Sequence, residues 1–228
     1  MNFSIPLITV FHLVFLFAGL VFIQSAPEPR QRLSRVLAFW ILTQVGLSFS
    51  GFYSLNNESS PRPVLLVLPA VLLITGLLLI PKGRAYMAAF NQQKLLLLHS
   101  LRVPVEWCLF VLASEGWVPE AMTWNGTNFD VLSGIAALAL YAWSLKGTVP
   151  AWVMRVFNVL GLLLLLNIMI TALLSVPGPL QQLNFDQPNR AVLEYPFVLL
   201  PALIVPLVLF AHLASFIPQK DTPQKQEK

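Results

Sequence analysis

Within the apolar segment Leu95–Ala113 stand His99, Arg102 and Glu106, an imidazole, a guanidinium and a carboxylate spaced three and then four residues apart. On a helix this spacing gathers all three within an arc of about 60°, so they form one stripe. Two chemistries fit. Arg102 and Glu106, one turn apart, can meet directly as a buried ion pair that locks helix packing, and removing one partner would cost about 3–5 kcal/mol. Alternatively, Arg102 holds an anionic group while Glu106 and His99 exchange a proton, since imidazole changes charge near neutral pH. Pro104 lies inside the stripe and, having no N–H, frees the carbonyl of Ser100 from its helical bond.

The elements that must position this stripe follow from composition. Of 228 residues, 57% are apolar and 11% charged, against roughly 25% charged in soluble domains. The mean hydropathy is +0.73, and too little polar surface remains to cover a water-soluble globule. The expected fold is an all-α bundle of seven transmembrane helices. Its apolar cores are Ile5–Ile23, Val36–Tyr53, Val64–Ile80, Leu95–Ala113, Val131–Lys146, Val156–Val176 and Phe197–Ile217. Most approach the ~20 residues that a membrane helix needs. None alternates as barrel strands do. The first segment lacks the positive n-region of a signal peptide and reads as a true span. Residues 1–217 form one transmembrane domain, and 218–228 a polar, disordered cytoplasmic tail.

Charge bias orients the bundle. Arg30, Arg32, Arg35, Lys82, Arg84, Lys94, Lys146, Arg155, Lys220, Lys225 and Lys228 fall on one set of loops, whereas the other set carries only Arg62 and Arg190. The positive-inside rule puts the N-terminus outside and the C-terminus in the cytoplasm. Short loops and the lack of a eukaryotic sorting signal favour a bacterial inner membrane. The lipid bilayer is thus the first partner. No basic stripe interleaved with aromatics suggests nucleic acid. Cys108 is the only cysteine, which excludes an intrachain disulfide; it faces away from His99 and reads as a packing or lipid-facing residue.

Depth along the helices, at 1.5 Å per residue, sorts the remaining polar side chains into layers. Gln44 and Asn167 reach the middle. His12 sits slightly outward, near the level of Glu106. His212 and Asn158 lie level with His99, nearer the inner surface. A zinc site on the three histidines is disfavoured because His12 lies on the order of 10 Å away in depth. The third span carries little that is polar and should be peripheral. Pro201 and Pro206 predict a kink or hinge in the seventh. The outer loops Ser114–Asp130 and Pro177–Glu194 are rich in amides and read as a solvated cap, or as a lid over an outward-opening pocket.

The last span has no lysine for a retinal Schiff base, and no span pairs two histidines as seven-pass hydrolases do. The expected function is therefore binding of a small polar or anionic ligand, or proton-coupled transport or sensing, at His99, Arg102, Glu106, Gln44, Asn158, Asn167, His212 and His12. No metal or cofactor is called for. One alternative is an intramembrane enzyme acting on a lipid-like substrate, with Glu106 or His99 as general acid/base, although no nucleophile or metal stands clearly in reach. The other is a structural or assembly subunit.

Overall fold

A computed structural model describes residues 3–54 and 61–218, and all of its regular structure is helical. The tail at 219–228, with Lys220, Lys225 and Lys228, lies outside the described residues. The α-helices are α1 (Ile5–Ser25), α2 (Gln31–Phe49), α3 (Leu68–Leu79), α4 (Pro81–Ala88), α5 (Gln92–Leu98), α6 (Arg102–Ser114), α7 (Asp130–Ser144), α8 (Ala151–Leu174) and α9 (Val205–Ser215). Among the described residues three helical stretches are long and apolar enough to cross a membrane: α1, the continuous run Gln92–Ser114, and α8. A fourth appears if α3 and α4 count as one broken span.

Proline sets most of the irregularities. Pro6 and Pro69 sit in first turns, where their missing N–H costs nothing. Ile80 precedes Pro81 and is extended (φ −95°, ψ 129°), as the clash with a following pyrrolidine ring favours. The chain therefore turns by 101° between α3 and α4. The expected span Val64–Ile80 begins instead as a 3₁₀ turn (Arg62–Leu66) and becomes helical at Leu68. α5 starts on a true cap, the Asn91 side chain accepting the Lys94 N–H at 3.0 Å.

The last expected span is not a uniform helix. Leu200–Ile204, around Pro201, is a π turn that feeds α9. Pro206 leaves the Ala202 carbonyl without its i+4 donor. Trp40 of α2 takes its place, donating its indole N–H to that oxygen at 2.7 Å.

α9 is the axis of the molecule, with Pro206–His212 and Ala214 all buried. α5 and α8 pack against it with α3 and α4 touching it, α7 packs on α5, α6 and α8, and α1 packs along α5 and α6. α3 buries only Ile74, and α2 only Gln44 and Ser48, so both are peripheral. The outward faces are apolar around the girth: Leu13 and Leu20 on α1, Phe39 and Leu42 on α2, Leu72 on α3, Ile135 on α7, Leu163 and Ile170 on α8 are all exposed.

Hydrogen bonds define two ends. At one, Asn91 N–H donates to Ser25 O, Lys94 Nζ to Gln24 O, and Gln93 to Ser144, so the turns bearing Arg30, Lys82, Arg84, Lys94 and Lys146 meet. At the other, the Arg190 and Ala191 N–H groups donate to Trp117 O, and Gln187 to Val118 O. Glu115, Glu120, Asp186 and Glu194 belong to that end. Its two loops are not a solvated cap: Val118, Met122, Thr123, Asn128, Asn189 and Ala191 are buried.

Candidate functional site

Arg102 opens α6, directly after a 3₁₀ turn at His99–Leu101. Pro104 withholds the N–H that Ser100 would otherwise accept, and the chain tightens there. The Arg102 side chain crosses to three other helices. Nη1 lies 3.0 Å from Asp130 Oδ1, at the start of α7. Nη1 and Nη2 both donate to the Gly161 carbonyl of α8 at 3.0 Å. Nη2 also donates to His212 Nε2 of α9 at 3.0 Å. That bond fixes the imidazole: Nε2 accepts, so Nδ1 carries the proton and donates to Asn158 Oδ1 at 2.9 Å. His99 stacks on His212 with ring centroids 4.0 Å apart.

Two glycines make room for this crossing. A Cβ on Gly161 would lie 2.6 Å from His212 Cε1 and 2.9 Å from Ser133 Oγ, and one on Gly134 2.9 Å from Val103 Cγ2. Only bare backbone lets α8 approach α9, and α7 approach α6, this closely.

The expected direct pair between Arg102 and Glu106 does not form. Asp130 takes the guanidinium, because the fork points across the bundle toward α7 and α8 and not along its own helix. Glu106 turns instead to the loop before α7, where Asn128 Nδ2 donates to Oε2 at 2.5 Å. Asn128 is held in turn by its bond to Met122 O, and its Oδ1 accepts the Asp130 N–H. Apart from the nearby Trp124 backbone, Glu106 Oε1 meets no hydrogen-bond partner among the described residues.

Arg102, Glu106, Asn128 and Asp130 form one wall of a cavity of about 300 Å³. Its other walls are apolar side chains of α3, α6, α8 and α9 and of the turns before α3 and α9, among them Leu66, Leu109, Leu165, Ile168, Ile204 and Val208. Of the lining residues, Leu68, Leu166, Ile170 and Leu173 are exposed. The mouth therefore lies sideways, between α3 and α8, and is framed by aliphatic groups. The expected outward opening under a lid is replaced by a lateral one under a packed cap.

The structure brings His99, Arg102, His212 and Asn158 together and sets Glu106 beside them on the cavity wall. The other three expected site residues stand elsewhere. Gln44 accepts the Tyr53 hydroxyl at 2.6 Å, closing the end of α2. Asn167 is exposed and donates to Thr127 O, which tethers the loop carrying Asn128. His12 accepts from the Tyr195 hydroxyl at 2.7 Å and donates to Ile8 O, at a separate helix seam. Sequence reasoning missed Asp130, Asn128 and Gly161. Asp130 abuts the apolar run Val131–Lys146 and carries a full charge, which marks it as a candidate for burial. Nothing in the sequence singles out Gly161, whose contribution is a backbone carbonyl.

A protein-family model described as Domain of unknown function (DUF8737) matches residues 61–218. The chain belongs to the DUF8737 family. No curated protein and no solved structure matches it. The DUF8737 segment supplies every residue of the Arg102 network, Glu106, and all the cavity-lining residues. His12, Gln44 and Trp40 lie before it, on α1 and α2.

Proposed function

We propose that this DUF8737 protein is a seven-span integral membrane protein, N-terminus outside and C-terminus cytoplasmic, in a bacterial inner membrane. Its interior site binds a small molecule with exchange of a proton at Glu106, in the service of transport or sensing. The observation that carries this reading is the cavity that reaches Arg102, Glu106, Asn128 and Asp130 in a largely apolar interior. Ionisable groups placed so deep are costly, and a cavity beside them gives that cost a use.

The membrane part of the reading is supported by the apolar girth and by the separation of basic and acidic ends. Soluble monomers rarely expose apolar patches beyond a few hundred Å², and cytoplasmic loops carry the excess of Lys and Arg. α7, α2 and the Leu200–Ser215 segment are short or polar at one end. They span if the bundle thins the bilayer locally, a modest cost per ångström.

The two charges divide the work. Arg102 has both Nη groups engaged and ties α6, α7, α8 and α9 together, so it is a strut. Glu106 retains an oxygen with no close partner and borders the cavity, so it is the exchanging group. The test is proton movement into vesicles reconstituted with the full chain under an imposed potential. Wild type should conduct, and Glu106→Gln should lose the flux while keeping its thermal unfolding midpoint. Flux unchanged in Glu106→Gln would overturn the reading. The lateral aliphatic mouth also favours a second reading, an intramembrane enzyme with a lipid-like substrate. Turnover of bilayer lipid by the purified protein, lost in Glu106→Gln, would select it.

A further inference from the structure

The proposed site has a charge and a shape, and together they specify a ligand class. The charge comes first. Arg102 and Asp130 neutralise each other at 3.0 Å. His212 accepts at Nε2 and donates at Nδ1, so it is a neutral imidazole. Asn128, the donor to Glu106, is an amide without charge. Among the described residues no Lys, Arg or His nitrogen lies within ion-pair distance of the Glu106 carboxylate. The ionised site is therefore one positive charge short, and Glu106, 1% exposed, is too buried for solvent to supply it. An anion would find the only deep guanidinium already occupied and a carboxylate beside it.

Shape supplies the second constraint. The Glu106 group borders one side, the buried Asn189 amide also lines the cavity, the rest of the lining is apolar, and the mouth at Leu68, Leu166, Ile170 and Leu173 faces the apolar girth. The packed cap, stitched by the Arg190 and Ala191 N–H bonds to Trp117 O, covers the acidic end. A volume of about 300 Å³ is at the small end of ligand sites, which run from about 300 to 1,000 Å³. It suits one short chain or a compact ring system, and it is too small for a two-chain phospholipid.

We propose that the ligand is a small amphiphilic amine with a short hydrocarbon body, held as its ammonium form, which enters sideways from the bilayer as the uncharged base between α3 and α8. Its ammonium N–H donates to Glu106 Oε1, which is buried and turns toward the cavity to receive it, and supplies the missing positive charge. Its hydrocarbon body lies along Leu165, Ile168 and Val208. This rests on the proposed reading of Glu106 as the exchanging group: the amine reaches the site as its uncharged base, takes the carboxyl proton onto its nitrogen to become the bound ammonium, and returns that proton on release. It reverses the anionic ligand that the isolated stripe His99, Arg102, Glu106 suggests, because Asp130 consumes the positive charge on which that expectation relied.

The experiment uses the full chain in phosphatidylcholine nanodiscs, with n-decylamine, n-decanol and n-decanoate as probes. Binding is read as heat stabilisation and by native mass spectrometry. Decylamine should bind wild type, decanol more weakly, and decanoate weakest. Glu106→Gln should weaken decylamine by about ten-fold or more, as expected for loss of a charged hydrogen bond. Leu166→Trp, which narrows the mouth at an exposed position, should weaken all the probes that bind. Decanoate binding as well as decylamine, or decylamine binding Glu106→Gln as well as wild type, would overturn the ligand class. If decylamine fails while the vesicle assay still shows Glu106-dependent proton flux, the ligand class alone is wrong. If both assays fail, the reading of the site falls with it.

Discussion

At the scale of single residues, one stripe of sequence separates into two environments because a charge from another helix intervenes. Both Nη groups of Arg102 are engaged, by Asp130, the Gly161 carbonyl and His212, whereas one Glu106 oxygen keeps spare hydrogen-bonding capacity. Asp130→Asn and Arg102→Met should each destabilise the protein by about 3–5 kcal/mol, since each strands a buried charge, and the double variant should recover part of the loss. Unfolding of the purified protein in mixed micelles measures all three. Glu106→Gln should stay within about 1 kcal/mol of wild type in the same assay, because an amide oxygen can still accept from Asn128. The stripe itself was legible from spacing. Its partner was not: a rule based on i, i+4 neighbours sees only one helix, and Asp130 stands 28 positions along the chain from Arg102. The rotamer that carries the guanidinium across to α7 is decided by tertiary packing.

At the scale of elements, proline and glycine do the positioning. The freed Ala202 carbonyl is served by Trp40, so Trp40→Phe should cost about 1–3 kcal/mol by leaving that buried acceptor bare. Pro206→Ala in the same background should restore part of this, because residue 206 then regains the N–H that α9 lacks. Thermal unfolding of the two single variants and the double measures the coupling. Gly161→Ala should lose about 1–3 kcal/mol by overpacking against His212, and should perturb the His212 ring resonances. The proline effects were readable in the sequence as missing N–H groups and as restrictions on the preceding residue. What they led to was not: the same missing donor gives a 3₁₀ turn near Ser100, and a π turn with a borrowed indole near Ala202. Which neighbour stands close enough to compensate depends on the assembled bundle.

At the scale of the whole molecule, the helical class and the gathering of basic turns at one end were legible because they depend on composition and order alone. The closed cap and the lateral mouth were not, since burial of loop residues such as Val118 and Asn189 arises from contacts between distant segments. The proposed topology makes a direct prediction. In a Cys108→Ala background, Lys146→Cys should be shielded from an impermeant maleimide in right-side-out vesicles, and Glu120→Cys should be labelled. The reverse pattern would invert the orientation, and equal labelling in sealed vesicles would argue against a spanning chain. One further consequence belongs to biogenesis. Among the described helices the central one, α9, leaves the ribosome last, so Arg102 and Asn158 are made long before their imidazole partner on His212. Until then the earlier helices lack the element they pack around, and under the proposed topology a nascent chain stalled before residue 205 should be a ready substrate for membrane quality-control proteases.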